Sequence, residues 1–222
     1  MTNGDRRKKM IPEKIGCYKI LKELGNGGFG IVYLGEHEIN KQKAAIKIAK
    51  GNYHNALKAE AKIWSDLNHE HIARLMYCDY LEEDKIYLAI QYIHGGSLRD
   101  SLTKEETPLL EKIRLLVQIG NALVYLHDKE LIHLDITPKN ILVDEKGNAF
   151  LTDFGLSKHA KDRAKGGGTK NYMSPEQRTG NYGSIGPKSD IYSFGVVAHE
   201  LIHGVRPGVN INKKLDLSRA DL

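Results

Sequence analysis

The sequence predicts an α+β chain of two lobes, the first with five strands and one main helix, the second mostly helical and short. Three observations carry that reading. Strand-like runs fill the chain as far as residue 92, interrupted by one stretch of helical spacing. A glycine-bearing segment at residues 93–97 follows, and beyond it apolar residues recur at helical intervals. Within the second part, residues 131–155 alternate short apolar runs with polar loops, which reads as buried strands holding those loops on a rigid frame.

Residues 1–14 are polar and basic and read as a mobile tail, the Arg6-Arg7-Lys8-Lys9 run being solvated charge rather than an address. Residues 18–24 read as a strand that enters Gly25, Asn26, Gly27, Gly28, Phe29 and Gly30, and residues 31–34 as the strand that leaves. Glycine has no Cβ, so backbone N–H groups in such a turn can lie close over a phosphate chain. Dinucleotide-binding folds use a similar pattern, but there it opens a helix; here β-branched and aromatic residues follow. Residues 44–48 form a buried-looking strand carrying one cation, Lys47, which could also snorkel to water from a strand edge.

From residue 55 to 67 the apolar positions Ala56, Leu57, Ile63, Trp64 and Leu67 have helical spacing, with Glu60 filling the gap. A carboxylate inside an apolar stripe is costly without a partner, and Lys47 is the natural candidate. Residues 72–75 and 86–92 read as two further strands joined by a polar turn at residues 82–85, and residues 93–97 as a hinge.

Past the hinge, Ile113, Leu116, Val117, Leu123, Val124 and His127 define a long amphipathic helix that tolerates Gly120. In the stretch 131–155, strands at Leu131-Ile132 and Ile141-Leu142-Val143 bracket His133, Asp135, Lys139 and Asn140. A turn at residues 144–148 leads to a strand at 149–152 and then to Asp153. Two acids and an amide held this way suit a divalent metal and a hydroxyl that must lose its proton. Asp153 and Asn140 are the expected Mg²⁺ ligands, and Asp135 the proton acceptor. The alternative is a hairpin with solvated acids at its turns. Residues 157–172 have little apolar content and three consecutive glycines, so they read as a mobile loop, and residues 189–204 as an apolar helix.

Composition bounds the rest. With 222 residues, 41% hydrophobic and 27% charged, the chain can bury a sizeable core and is not disordered except at its ends. No apolar run reaches membrane-spanning length and none follows the basic start, so neither a membrane partner nor a secretory signal is expected. Cys17 and Cys78 are too few for a disulfide framework and fit reduced thiols in a cytoplasmic setting. A net charge of +5 permits acidic partners without pointing to nucleic acid.

Taken together, these stretches resemble the eukaryotic-type protein kinase family over nearly the whole chain. The glycine turn through Val32 is similar to G-x-G-x-x-G-x-V, and residues 44–47 to the V-A-I-K strand. Residues 133–140 resemble H-x-D-x-x-x-x-N, Asp153-Phe154-Gly155 is D-F-G, and residues 168–176 resemble the peptide-docking G-T-x-x-Y-M-x-P-E. The resemblance implies a two-lobe kinase-like fold and transfer of the ATP γ-phosphate, with Mg²⁺, to serine or threonine hydroxyls of protein substrates. It implies that Lys47, paired with Glu60, holds the α- and β-phosphates. Ile90 becomes the gatekeeper, the backbone of Gln91, Tyr92 and Ile93 meets the adenine edge, and Val32, Ala45 and Leu142 complete the nucleotide-binding set. Asp190 is expected to anchor the backbone of the catalytic loop.

Three departures qualify these expectations. Leu134 stands where many regulated members carry an arginine that pairs with an activation-loop phosphate, so that ordering mechanism is lost. Thr137 stands where serine/threonine members keep a lysine against the γ-phosphate; Lys139, placed where many tyrosine kinases have an arginine, is the expected replacement. The family also continues with further helices, so a truncated second lobe is expected, its uncovered apolar helix surface inviting self-association or a partner. Lys158, Lys161, Arg163, Lys165 and Lys170 point to substrates acidic around the acceptor, or else to a merely solvated loop. The rival readings are a pseudokinase or nucleotide-binding scaffold, and a small-molecule phosphotransferase of kinase-like fold, which would lack the peptide-docking segment.

Overall fold

Alternation of side chains across a pleated strand lets one face of the first part bury its apolar residues while the other carries the polar chemistry. The computed structural model describes residues 11–82, 85–101, 107–160, 162 and 167–208. Its contacts divide the chain into two units, Met1–Ala61 with Leu75–Tyr92, and Lys62–Arg74 with Ile93–Leu222.

In the first unit, β1 (Lys14–Ile15), β2 (Tyr18–Asn26), β3 (Gly30–His37), β4 (Lys43–Ala49), β5 (Leu75–Glu82) and β6 (Lys85–Gln91) form one antiparallel sheet in the order β1-β2-β3-β4-β6-β5. Register shifts between Ile20 and Lys22 and between Glu23 and Gly25 curl β2 over β3. One face buries Ile15, Tyr18, Ile20, Ile31, Tyr33, Ala44, Ile46, Tyr87 and Ala89. The main helix, α1, spans His54–Ser65.

Two expectations change here. A sixth strand, β1, begins at the last residue assigned to the tail, where Glu13 O also accepts from Ile20 N at 2.9 Å; the Arg6–Lys9 run lies outside the described residues. The strand expected at 72–75 instead occupies Leu75–Glu82, and Ile72 makes only an isolated parallel bridge to Leu151. The reason is competition for the preceding residues. Ala73 N donates to Leu151 O at 2.9 Å and Ala73 O accepts from Trp64 Nε1 at 2.7 Å, which claims residues 62–74 for the second unit. The sequence at 76–82 hides a strand because it is an edge, with Tyr77 and Tyr80 exposed.

The second unit contains β7 (Gly95–Ser97), α2 (Leu98–Ser101), α3 (Leu109–Asp128), β8 (Leu131–Ile132), β9 (Ile141–Asp144), β10 (Ala149–Leu151), β11 (Lys158–His159), α4 (Pro175–Thr179), a 3₁₀ turn (Tyr182–Ser184) and α5 (Pro187–His203). Its strands make two small sheets, β10-β9-β7 and β11-β8. Helix α4 starts with a capping box: Gln177 N donates to Ser174 Oγ and Gln177 Oε1 accepts from Ser174 N. No helix among the described residues is long and apolar enough to cross a membrane.

Helix α3 lies where helical spacing placed it, but it is rotated from the expected face. Leu115, Gln118, Ile119, Ala122, Leu123 and Leu126 are buried, while Ile113, Val117 and Val124 are exposed. Apolar residues surround most of this helix, so spacing alone left the face open. Gln118 settles it, because its Oε1 accepts from Ala149 N at 2.8 Å and so must face inward. Residues 157–172, expected as a mobile loop, include β11, which pairs Lys158 with Ile132 and His159 with Leu131. Lys161, Arg163 and Lys165 lie outside the described residues.

The glycines expected as a hinge are ordered too. Gly95, Gly96 and Ser97 pair with Asp144, Val143 and Leu142 as strand β7. Gly95 has φ +139°, and a Cβ there would lie 2.1 Å from Val143 O. A main-chain oxygen inside a ladder has nowhere to retreat. Gly95→Ala should therefore lower unfolding stability by about 2–4 kcal/mol, read as a reduced urea midpoint.

Candidate functional site

The polar loop between β8 and β9 is built on one buried acid. Asp190, on α5 and fully buried, accepts from His133 N at 2.9 Å on Oδ2 and from Leu134 N at 2.8 Å on Oδ1; its Oδ2 also lies 3.0 Å from His127 Nε2. This fulfils the expected anchoring role. It also holds Leu134 in the left-handed region, at φ +68°, which a leucine adopts only under constraint. The Leu134 side chain packs with Ile132, Ile185 and Leu156. The position expected to lack a phosphate-pairing cation is thus an apolar core position.

Beyond that strained residue, Asp135 is held by two donors. Thr169 N donates to Oδ1 at 2.8 Å, and Asn140 Nδ2 donates to Oδ2 at 2.8 Å and to the Asp135 carbonyl at 2.9 Å. The β9–β10 hairpin then brings Asn140 and Asp153 to the same end: Ile141 pairs with Leu151, and Thr152 N donates to Asn140 O at 2.9 Å. Asp144 closes the far end of the hairpin by accepting from Lys146 N and Asn148 N, with Gly147 in the left-handed region. Asp153 itself has φ +66°. Its neighbour Phe154 is buried, 5.0 Å from the His133 ring and 4.9 Å from Trp64.

These residues fit Mg²⁺. The amide nitrogen of Asn140 is spent on Asp135, so its oxygen is the end left to face a cation. Among the described residues no group of three or more His, Cys, Asp or Glu could hold a metal without further ligands. Mg²⁺ is the cation for which one carboxylate and an amide suffice, because it keeps its waters and takes substrate phosphates as ligands. Lys139 is exposed beside Asn140, Thr137 is buried at 2% exposure, and Leu142 is half-buried in β9 opposite Phe150 and Ser97.

In the first unit, sheet register gathers the other expected residues on the face away from the apolar cluster. Lys47 pairs with Val32 on one side and Leu88 on the other, and Ala45 pairs with Ile90. Directly opposed residues share a face, so Val32, Ala45, Lys47 and Ile90 lie together. Lys47 Nζ donates to Glu60 Oε1 and Oε2 at 2.7 and 2.9 Å, with the two side chains only 12% and 4% exposed. Removing either partner would strand a buried charge, at a cost of about 3–5 kcal/mol. Gln91 ends β6 opposite Ala44, and Tyr92 and Ile93 follow beyond the ladder.

The glycine turn separates two kinds of glycine. A Cβ on Gly30 would lie 2.6 Å from Ile48 O, so the fold itself requires that glycine. Gly25 and Gly28 have nothing within 4 Å of that position, and for Gly27 the nearest atom is Gly30 O at 3.9 Å. None of these three has a positive φ. Neither conformation nor packing demands them, which leaves room for a group approaching from outside, as phosphates would.

Sequence reasoning missed a third buried acid. Glu200, on α5, accepts from Arg99 Nη1 at 2.9 Å on Oε1 and from the Tyr172 hydroxyl at 2.5 Å on Oε2. Burial, and then the Glu200 carboxylate, push Tyr172 up to about 12. Its signal was the one that exposed Glu60, a carboxylate within an apolar helical stripe. Gln177 was missed as well: its Nε2 donates to Leu134 O at 3.0 Å, tying α4 to the loop between β8 and β9. The anchor gives the sharpest test of this architecture. Asp190→Ala would orphan two buried N–H groups and should cost about 2–4 kcal/mol, with faster amide exchange at His133 and Leu134 as the local signature.

Comparison with known proteins agrees with this geometry. A sequence model described as the protein kinase domain matches residues 18–220. The chain is 36% identical over 209 residues to the serine/threonine-protein kinase PrkC of Bacillus subtilis (strain 168), covering 86% of this chain and 31% of that protein. It is 34% identical over 201 residues to an Aurora kinase of Patiria pectinifera, covering 86% and 49%. A third relative, the serine/threonine-protein kinase pkn2 of Myxococcus xanthus, is 33% identical over 210 residues, covering 86% and 25%. The chain therefore spans from a quarter to a half of the length of these curated relatives. A family match over most of the chain, on a curled antiparallel sheet followed by a helical unit, shows that this chain belongs to the protein kinase family.

Proposed function

We propose that the chain is the catalytic domain of an ATP-dependent serine/threonine protein kinase. The observation that carries this reading is Asp135, held by Thr169 N and Asn140 Nδ2 on a loop whose hairpin also places Asp153. Bound ATP with Mg²⁺ supplies the transferable phosphoryl group and the divalent charge beside it. Asp153 and the Asn140 amide oxygen would hold the metal. Asp135 orients the acceptor hydroxyl and receives its proton on a carboxylate oxygen, each of which keeps a second lone pair beyond its present hydrogen bond. Lys47, fixed by Glu60, orients the α- and β-phosphates, with the glycine turn, Val32, Ala45, Ile90, Gln91, Tyr92, Ile93 and Leu142 completing the nucleotide contacts.

The reaction also needs positive charge near the γ-phosphate as its bond to ADP loosens. Thr137 offers none and is buried, whereas exposed Lys139 adjoins the metal ligand Asn140. Lys139 is the residue for that task. The acceptor is a protein serine or threonine in a cytoplasmic setting, and exposed Lys170, next to the Thr169 N–H that holds Asp135, favours acidic sequence around it. Exposed Ile191 and Tyr192 on α5 offer an apolar surface for self-association.

Radiolabelled ATP, Mg²⁺ and a serine/threonine peptide library test the activity. The parent chain should label peptides, and Asp135→Asn should cut turnover by about 10²–10⁴-fold with nucleotide affinity near the parent's. A parent that binds ATP yet labels nothing is a nucleotide-binding scaffold instead. Lys139→Ala should cost about 2–4 kcal/mol of transition-state stabilisation, seen as a fall in kcat that exceeds any rise in KM. An unchanged kcat removes Lys139 from the reaction.

A further inference from the structure

A glycine turn that receives phosphates faces two difficulties, and one side chain in the first unit addresses both. Glycine has the largest backbone entropy to lose, so Gly27 and Gly28, beyond the end of β2, do not hold a shape unaided. Such a turn must also present N–H groups to an anion while its oxygens, which repel it, are occupied elsewhere. Gly27 N donates to Gly30 O at 3.0 Å, which closes the turn but occupies only one oxygen.

Lys50, just after β4, reaches two more, and the side chain of Asn26 with them. Its ammonium donates to Gly27 O at 2.5 Å and to Asn26 Oδ1, and its backbone N donates to Phe29 O at 3.0 Å. One residue thus engages oxygens on Asn26, Gly27 and Phe29. Its own base is firm: Tyr53 N donates to Lys50 O at 3.1 Å in a turn through Gly51 at φ +47°. Tyr53 also meets the Phe29 ring edge-on at 5.1 Å and 87°. The β4–α1 connection therefore grips both arms of the glycine turn.

We propose that Lys50 is a positioning residue that clamps the glycine turn in its phosphate-receiving shape and neutralises the oxygens that would oppose a polyphosphate. The proposal rests on the kinase reading of that turn. It is separate from Lys47, whose ammonium is committed to Glu60.

Titration of the full chain with a fluorescent ADP analogue, alongside amide exchange without nucleotide, tests it. Lys50→Met should weaken ADP by about 3–10-fold, the size expected for one exposed charge-assisted contact. It should speed exchange at Gly27 and Gly28 and leave the melting temperature unchanged. Lys50→Arg keeps the donors and should stay near the parent. Asn26→Ala should reproduce part of the loss, and the double variant should lose less than the sum, as coupled partners do. ADP affinity equal to or tighter than the parent's in Lys50→Met, or unaltered exchange in the turn, overturns the clamp. A parent that fails to bind ADP overturns the kinase reading instead, and exchange still reports on the clamp.

Discussion

A single buried carboxylate, Asp190, carries the loop on which the candidate chemistry is built. Buried charge is tolerated only when its lone pairs are filled, and Asp190 fills them with main-chain N–H groups of His133 and Leu134 and with the His127 ring. This exchange fixes the loop backbone rather than a side chain. Leu134 can then sit in a left-handed conformation, and Asp135 follows at a set angle toward Thr169 and Asn140. The strain at Leu134 is sustained because both its N–H and its side chain are held, the latter among Ile132, Ile185 and Leu156.

The same logic recurs wherever an acid lies inside. Glu60 accepts two hydrogen bonds from Lys47, and Glu200 takes Arg99 and Tyr172. The first pair joins consecutive elements and the second joins segments 101 and 28 residues apart, and each fixes a register that apolar packing alone would leave loose. Such pairs are weak evidence for net stability, since desolvation offsets much of the attraction. Their consequence is specificity of arrangement. Tyr172, by donating to the Glu200 carboxylate, and Gln177, by donating to Leu134 O, fasten the segment that follows the glycines to α5 and to the loop between β8 and β9.

Glycines divide by the same reasoning into those the fold uses and those it leaves open. Gly30 and Gly95 are required by main-chain oxygens of neighbouring strands, whereas a Cβ on Gly25 or Gly28 would meet nothing within 4 Å and one on Gly27 only Gly30 O, at 3.9 Å. A fold does not keep three entropically costly residues in one turn for its own packing. Gly27 N closes the turn onto Gly30 O, and Lys50 and the Phe29–Tyr53 contact brace it from outside.

Much of this was legible in the sequence, because it depends on local order along the chain. The glycine turn between two strands, Glu60 in an apolar stripe, and the spacing of Asp135, Asn140 and Asp153 each appear within short windows, where period and composition are informative. What the sequence did not reveal depends on which distant segment wins a contested group. Residues 72–75 looked like a strand, but Leu151 and Trp64 claim Ala73 first. Helix α3 was apolar on too many sides for spacing to choose a face, and the inward demand of Gln118 chose it. Gly95 and Gly96 looked flexible because glycine is permissive, yet Val143 makes them a strand. Local periodicity determined the elements and the chemistry; buried polar groups, which must find partners across the chain, decided how those elements are set together.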